Sequence, residues 1–257
     1  MIPQLLFFIF VASTSAFAQS GKDSSQTNLL ALSQGISSPH FTTGTILSNG
    51  FTKDNPVGAS YLNGFRSSFQ VDGGRGTGFG ADLGLGDSQY GMSVGYRQPS
   101  ACENCNGFAR GQLSANWGGF GLGLGATQDV FTVGTLLGMN SSHRLGFVAE
   151  FDQNTEILDR VSFGAGYAYI NQRFTASVDG SYTEIGSVQT AMISPAVAMR
   201  IRMVSVSLTY DTYLKDDGET FNDQGWFGIG YMHSNKCHVA LYGDFVNQWN
   251  LSGSYFF

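Results

Sequence analysis

Charge is scarce in this chain. Asp, Glu, Lys and Arg make up 12% of its 257 residues, about half the share of an ordinary soluble domain. The formal balance is −6 and the pI is near 5.0. That excludes the broad basic surface that a phosphate backbone requires, so nucleic acid is not an expected partner. Long apolar runs are missing too. No internal stretch reaches the roughly 18 apolar residues of a spanning helix, which excludes a helical membrane protein. Cysteine is limited to Cys102, Cys105 and Cys237. Cys102 and Cys105 flank Glu103-Asn104 between Pro99 and Gly107, with no helical pattern behind them. The pair reads as a candidate loop-stiffening disulfide, not as a redox motif opening a helix. It offers too few ligands for zinc, and no metal or cofactor is expected.

Glycine and aromatic residues are abundant instead: 35 Gly, 21 Phe and 11 Tyr. From Tyr61 onward they fall into one repeated theme, seven to eleven residues in which apolar positions alternate with small or polar ones. Phe79, Ala81, Leu83 and Leu85 oppose Gly80, Asp82 and Gly84. Phe120, Leu122 and Leu124 oppose Gly121, Gly123 and Gly125. Val161, Phe163, Ala165, Tyr167 and Tyr169 oppose Ser162, Gly164 and Gly166. Val204, Val206, Leu208 and Tyr210 oppose Ser205, Ser207, Thr209 and Asp211. Period-two alternation means two environments, one on each face of a sheet. Fourteen such segments can be counted, and twelve is the next best number.

The joints carry independent information. Long ones follow odd strands: PSACENCNG, DQNTEILD, the TEIGSVQT region and LKDDGETFNDQG. Short ones follow even strands: GDS, WGG, NSS, NQ and HSNK. Short turns at one end and longer loops at the other are the asymmetry of a bacterial outer-membrane barrel. A sheet crosses a bilayer only when closed, because each unpaired backbone group there costs several kcal/mol. The expected fold is therefore all-β, a closed antiparallel transmembrane barrel over residues 59–257. A soluble sandwich would also alternate, but its wet face would carry Lys and Glu, and here that face is Gly, Ser and Thr. Two positions strain the scheme. Pro195 cannot donate to a ladder and must sit at a bulge or strand end, and Arg200–Met203 lacks an obvious turn.

Residues 1–18 form a secretory signal peptide. Leu5–Ala12 is its apolar core, and Ala16-Phe17-Ala18 is a cleavage site before Gln19. Residues 19–58 are polar, with one apolar cluster at Leu29–Leu32. They form either a loose periplasmic extension or a plug inside the lumen. Glycine-lined strands at Gly121/Gly123/Gly125 and Gly164/Gly166 would leave room for the plug.

The chain ends WNLSGSYFF, with Trp249, Leu251, Gly253, Tyr255 and Phe257 on one side of a strand. A terminal Phe with aromatics at alternate positions resembles the C-terminal signature of bacterial outer-membrane barrels. That resemblance implies reading by the barrel-assembly machinery, with Tyr255 and Phe257 as the signal. It also implies outer-membrane residence among lipids and lipopolysaccharide. Asn55-Pro56-Val57-Gly58-Ala59 resembles the Asn-Pro-Ala-Gly-Leu stretch of FadL-type hydrophobic-compound transporters. Members of that family enclose an N-terminal hatch in fourteen strands, which implies hatch roles for Asn55, Pro56, Val57 and Gly58. This chain is shorter than typical members.

By alternation phase, the lumen-facing charges are Arg66, Asp82, Arg97, Arg110, Glu150, Asp179, Arg200, Asp211 and Asp244. They line an aqueous path or brace the wall as internal ion pairs. His233-Ser234 invites a catalytic reading, but cooperation on one strand face needs a spacing of two. Lys215–Glu219 and Asp223 form an acidic outer loop without the alternate-position carboxylates of a calcium loop. The expected function is a passive conduit for a small-molecule solute, hydrophobic ones included, without enzymatic chemistry. The competing expectation is a non-transporting structural or surface-interaction barrel.

Overall fold

The computed structural model describes residues 55–257 apart from 62, 75–76, 88, 99–106, 139–141, 153–159, 172, 186–187, 217–222, 234–236 and 245–247. The signal peptide, most of residues 19–58, Cys102 and Cys105 lie outside the described residues.

A short 3-10 segment, Pro56–Tyr61, precedes fourteen strands. These are β1 Asn63–Gly73, β2 Gly78–Asp87, β3 Tyr90–Gln98, β4 Phe108–Trp117, β5 Phe120–Ala126, β6 Val130–Gly138 and β7 His143–Asp152. The second half adds β8 Arg160–Ile170, β9 Phe174–Ile185, β10 Val188–Ile201, β11 Val204–Asp216, β12 Gln224–His233, β13 Cys237–Asp244 and β14 Trp249–Phe256. Each strand pairs antiparallel with the next, and β14 closes on β1, from Arg66↔Phe256 to Gly73↔Trp249. Closure removes both sheet edges.

The period-two pattern becomes two surfaces. On β2, Phe79 and Leu83 are 52% and 48% exposed, while Asp82 between them is 2% exposed. The same alternation runs around the cylinder. Leu113, Phe163, Val178, Leu208, Phe227 and Leu241 point outward, and Ser162, Thr175, Ser207 and Ser252 point inward and are buried. The outside is thus an apolar band, and the inside is lined by glycine, hydroxyls and charges. The closing strand is fitted in the same way. The Phe69 ring covers Gly253, and the Trp249 ring covers Gly73. Phe257 packs on Phe65 with ring centroids 5.2 Å apart. The chain end is held by ring contacts and by the β1 ladder.

Three features depart from the sequence reading. Most of the TEIGSVQT region is strand, not a long joint: β9 runs to Ile185, β10 starts at Val188, and the two pair there. Thr183, Ile185, Val188 and Thr190 are β-branched and suit a strand. Gly186 and Ser187, between the two strands, lie outside the described residues. Pro195 lies in the interior of β10, facing outward, not at an end or a bulge. The β9 ladder passes through Pro195↔Val178, whereas β11 partners stop at Ile193↔Thr212 and resume at Ala196↔Thr209. The missing N–H is thus accommodated by a local break on one side only. The bulge sits further up, at Ala191/Met192. The turn between β10 and β11 is Arg202-Met203, with Arg202 at φ 59°. A non-glycine residue in that region leaves no composition signal.

Candidate functional site

The inserted 3-10 segment shapes the site. Pro56 opens it, where a missing N–H costs nothing and the ring presets φ. Asn55 caps it. Its Oδ1 accepts from the Val57 N–H at 3.2 Å, and its carbonyl accepts from the Gly58 N–H at 3.0 Å. The Ser60 hydroxyl donates to the Val57 carbonyl at 2.9 Å. Val57 and Ser60 are wholly buried, and Asn55 nearly so.

The wall that receives the segment is glycine. A Cβ on Gly123 would collide with the Val57 backbone N, and one on Gly121 with Val57 Cγ1. A Cβ on Gly134 would strike Asn55 Oδ1 and Pro56, and one on Gly91 the Ala59 carbonyl. Four glycines on β3, β5 and β6 therefore form a seat: Gly91 and Gly123 meet the segment's backbone, and Gly121 and Gly134 its side chains. The Asn55 amide nitrogen fixes the segment to it, donating to the carbonyls of Thr135 at 2.8 Å and Phe147 at 3.3 Å. This explains why β6 is apolar in both phases: its inward Gly134 meets the segment, and Leu136, wholly buried, pairs with Gly121. The Gly121/Gly123/Gly125 strand does take the inserted chain. Gly164 and Gly166, on β8, lie away from the main contact surface of the 3-10 segment, which is built on β2–β6.

The charges read as inward occupy both arcs of the wall. Arg66 (β1) and Asp82 (β2) form an ion pair at 3.0 Å with side chains 7% and 1% exposed. Arg97 (β3) pairs at 3.2 Å with Asp72, a residue the alternation did not single out. Asp72 also accepts from Gln70 Nε2 at 2.7 Å and from the Asn250 amide, so it ties β14 to β1 and β3. Arg110 is half-buried on β4. On the other arc, Glu150 and Asp179 are buried. Asp211 accepts from the Ser194 hydroxyl at 2.5 Å and from Trp226 Nε1 at 3.1 Å. Asp244 accepts from Gln224 Nε2 and from the Gln248 N–H, each at 2.7 Å. Arg200 lies near the short-turn end, its Nε donating to the Arg202 carbonyl at 2.8 Å. Arg66 and Arg97 are thus neutralised within their own arc by Asp82 and Asp72, and both signs of charge also occur on β7–β13, where Arg200 of β10 accompanies Glu150, Asp179, Asp211 and Asp244.

The remaining candidates are scattered. His233 is exposed at the end of β12, stacked on Tyr231, and Ser234 lies outside the described residues. Tyr255 and Phe257 stand on the outside of the closing strand, ring centroids 4.7 Å apart. Cys237 is a free, half-buried thiol. Among the described residues no group of three or more His, Cys, Asp or Glu is placed to hold a metal ion.

No family model and no curated protein sequence matches this chain. Solved structures do. A TodX variant lacking S2 and S3, described as a monoaromatic hydrocarbon channel, superposes with a TM-score of 0.58 at 10% identity, over 84% of this chain and 94% of that one. A bacterial polysaccharide outer-membrane secretin gives 0.52 at 10% identity, over 76% and 99%. The outer-membrane protein Omp33 of Acinetobacter baumannii gives 0.52 at 7% identity, over 76% and 98%. At such identities the likeness is one of fold: the chain is a β-barrel of the outer-membrane type.

Proposed function

We propose that this protein is an outer-membrane conduit through which a small solute passes without chemistry, and that residues 19–58 act as its hatch. The observation that carries the reading is the seated segment. A glycine wall that admits backbone at contact distance is costly to build by chance, since glycine interrupts strand packing. It makes sense where part of the chain must occupy the lumen. Asn55–Gly58 are then the latch, and the inward charges line the path. The resemblance of Asn55–Ala59 to FadL-type transporters supports small hydrophobic solutes as the first class to test. So does the fold shared with a hydrocarbon channel. Export by the 1–18 signal peptide, assembly through Tyr255 and Phe257, and contact with lipopolysaccharide belong to the same reading.

One observation favours the alternative, a barrel that does not transport. Lumen-facing Ala168, Thr175 and Ser252 are wholly buried, as expected of a filled interior. Planar-bilayer conductance separates the two readings. Discrete openings that grow when residues 19–58 are deleted support the conduit. Silence from both the full chain and the deletion variant would leave the structural barrel standing.

A further inference from the structure

The outside of β6–β11 carries a hollow of about 620 Å³, within the usual range for small-molecule sites. The strand registers explain it. One outward row reads Phe147–Ala165–Gly180–Ile193 across β7–β10, and the next row toward the long joints reads Ala149–Phe163–Tyr182–Ala191. Ala165 and Gly180 are adjacent and form a low floor. Phe147 and Ile193 stand at its flanks, and Phe163 and Tyr182 above it. A Cβ on Gly180 would meet nothing closer than the Ala165 carbonyl at 3.8 Å, so the floor is open. The β10–β11 bulge completes the rim. Register passes from Ala191↔Lys215 to Met192↔Tyr213 and skips Leu214, whose side chain stands 63% exposed on the hollow's edge. Bulges re-aim side chains in this way. The lining is almost entirely apolar. At the upper end the Tyr182 hydroxyl is turned to Glu184 at 3.1 Å.

We propose that this hollow seats one acyl chain of an outer-leaflet lipid. The inference rests on the membrane reading above, which places the long joints outside. The hollow is continuous with the exposed apolar band that includes Phe151, Val178 and Val197, so hydrocarbon already covers its surroundings. Width excludes a partner's helix. Three strand spacings put the Phe147 and Ile193 backbones about 14 Å apart, and their side chains narrow the gap further. A helix, about 10–12 Å across, does not enter; a single alkyl chain does. The apolar floor with a polar upper end fits a tail pointing down and a headgroup near the long joints.

The test uses the full chain in phosphatidylcholine vesicles doped with a phospholipid bearing a mid-chain diazirine. Photolabelling is expected to concentrate on β8–β10 peptides, about fivefold over β2–β4, whose wall is equally apolar. Ala165→Leu with Gly180→Leu is expected to bring β8–β10 down to the β2–β4 level, and Leu214→Ala to lower it by about half. Heat-modifiable gel mobility checks that each variant is a folded barrel. Even labelling of the wild-type wall overturns the proposal while leaving the membrane reading intact. So does chain-to-chain crosslinking through β8–β10, which would put a second copy in the hollow. Failure to enter vesicles at all overturns the membrane reading itself, and the hollow's role with it.

Discussion

Glycine lines the lumen on both arcs of this barrel, but it is covered differently on each. On β12, Gly228 lies under the ring of Tyr242 from β13, and a Cβ on Gly230 would come within 2.9 Å of His238 Nε2. There the wall fills its own gaps with neighbouring rings. On β3, β5 and β6, Gly91, Gly121, Gly123 and Gly134 are covered by the Asn55–Ser60 chain. Elsewhere the β9–β14 arc presents hydroxyls, among them Thr175, Ser177, Ser205, Ser207, Ser252 and Ser254. Glycine therefore marks close approach in both places, but only its covering shows whether the approach is wall to wall or wall to insert. The seat side is built for one fitted object. The hydroxyl side is built for a polar or wet neighbour.

That contrast is open to attack by substitution, with stability read from the heat-modification midpoint in detergent. The largest loss is expected for Asp82→Ala, which strands Arg66 in a site where both side chains are under a tenth exposed. Removing one partner of such a pair costs about 3–5 kcal/mol. Gly123→Ala is next, at about 1–3 kcal/mol, because the new methyl meets backbone that cannot turn aside. Gly125→Ala, two residues along the same face, finds its nearest neighbours at ordinary contact, 3.5 Å, and is expected to change stability by less than about 0.5 kcal/mol. Equal losses at Gly123 and Gly125 would mean that the segment is not seated as described. Asn55→Ala removes the bonds to Thr135 and Phe147 and is expected to cost about 1–2 kcal/mol. The smallest effect belongs to the other arc. The Ser177 hydroxyl is buried and has no hydrogen-bond partner among the described residues, so Ser177→Ala is expected to be neutral or slightly stabilising.

Much of this architecture can be read directly from the residues, because period-two patterning and closure are local and global forms of one constraint. Phe79, Leu83, Leu113 and Leu208 declare the outer face before any contact is known. The rest depended on information that no single strand carries. The alternation does not single out Asp72, and only the β1–β14 closure brings Asn250 to it. Gly164/Gly166 and Gly121/Gly123 look alike in sequence, and which pair receives the insert is a matter of tertiary contact. The β9–β10 extension was hidden by polar residues at outward and inward positions alike. The Arg202 turn was hidden because a positive φ at arginine is set by its surroundings. The Asn55–Gly58 site was legible through a short motif, but its seat on β3, β5 and β6 was not.

Single-channel recording of Gly123→Leu tests the central idea most directly, since that side chain denies the 3-10 segment its place while leaving the outer wall untouched. A barrel with native gel mobility and a conductance clearly above that of the unmodified protein is the predicted result. An intact barrel whose conductance is unchanged, or absent in both forms, would contradict the idea that the seated segment governs passage through the lumen.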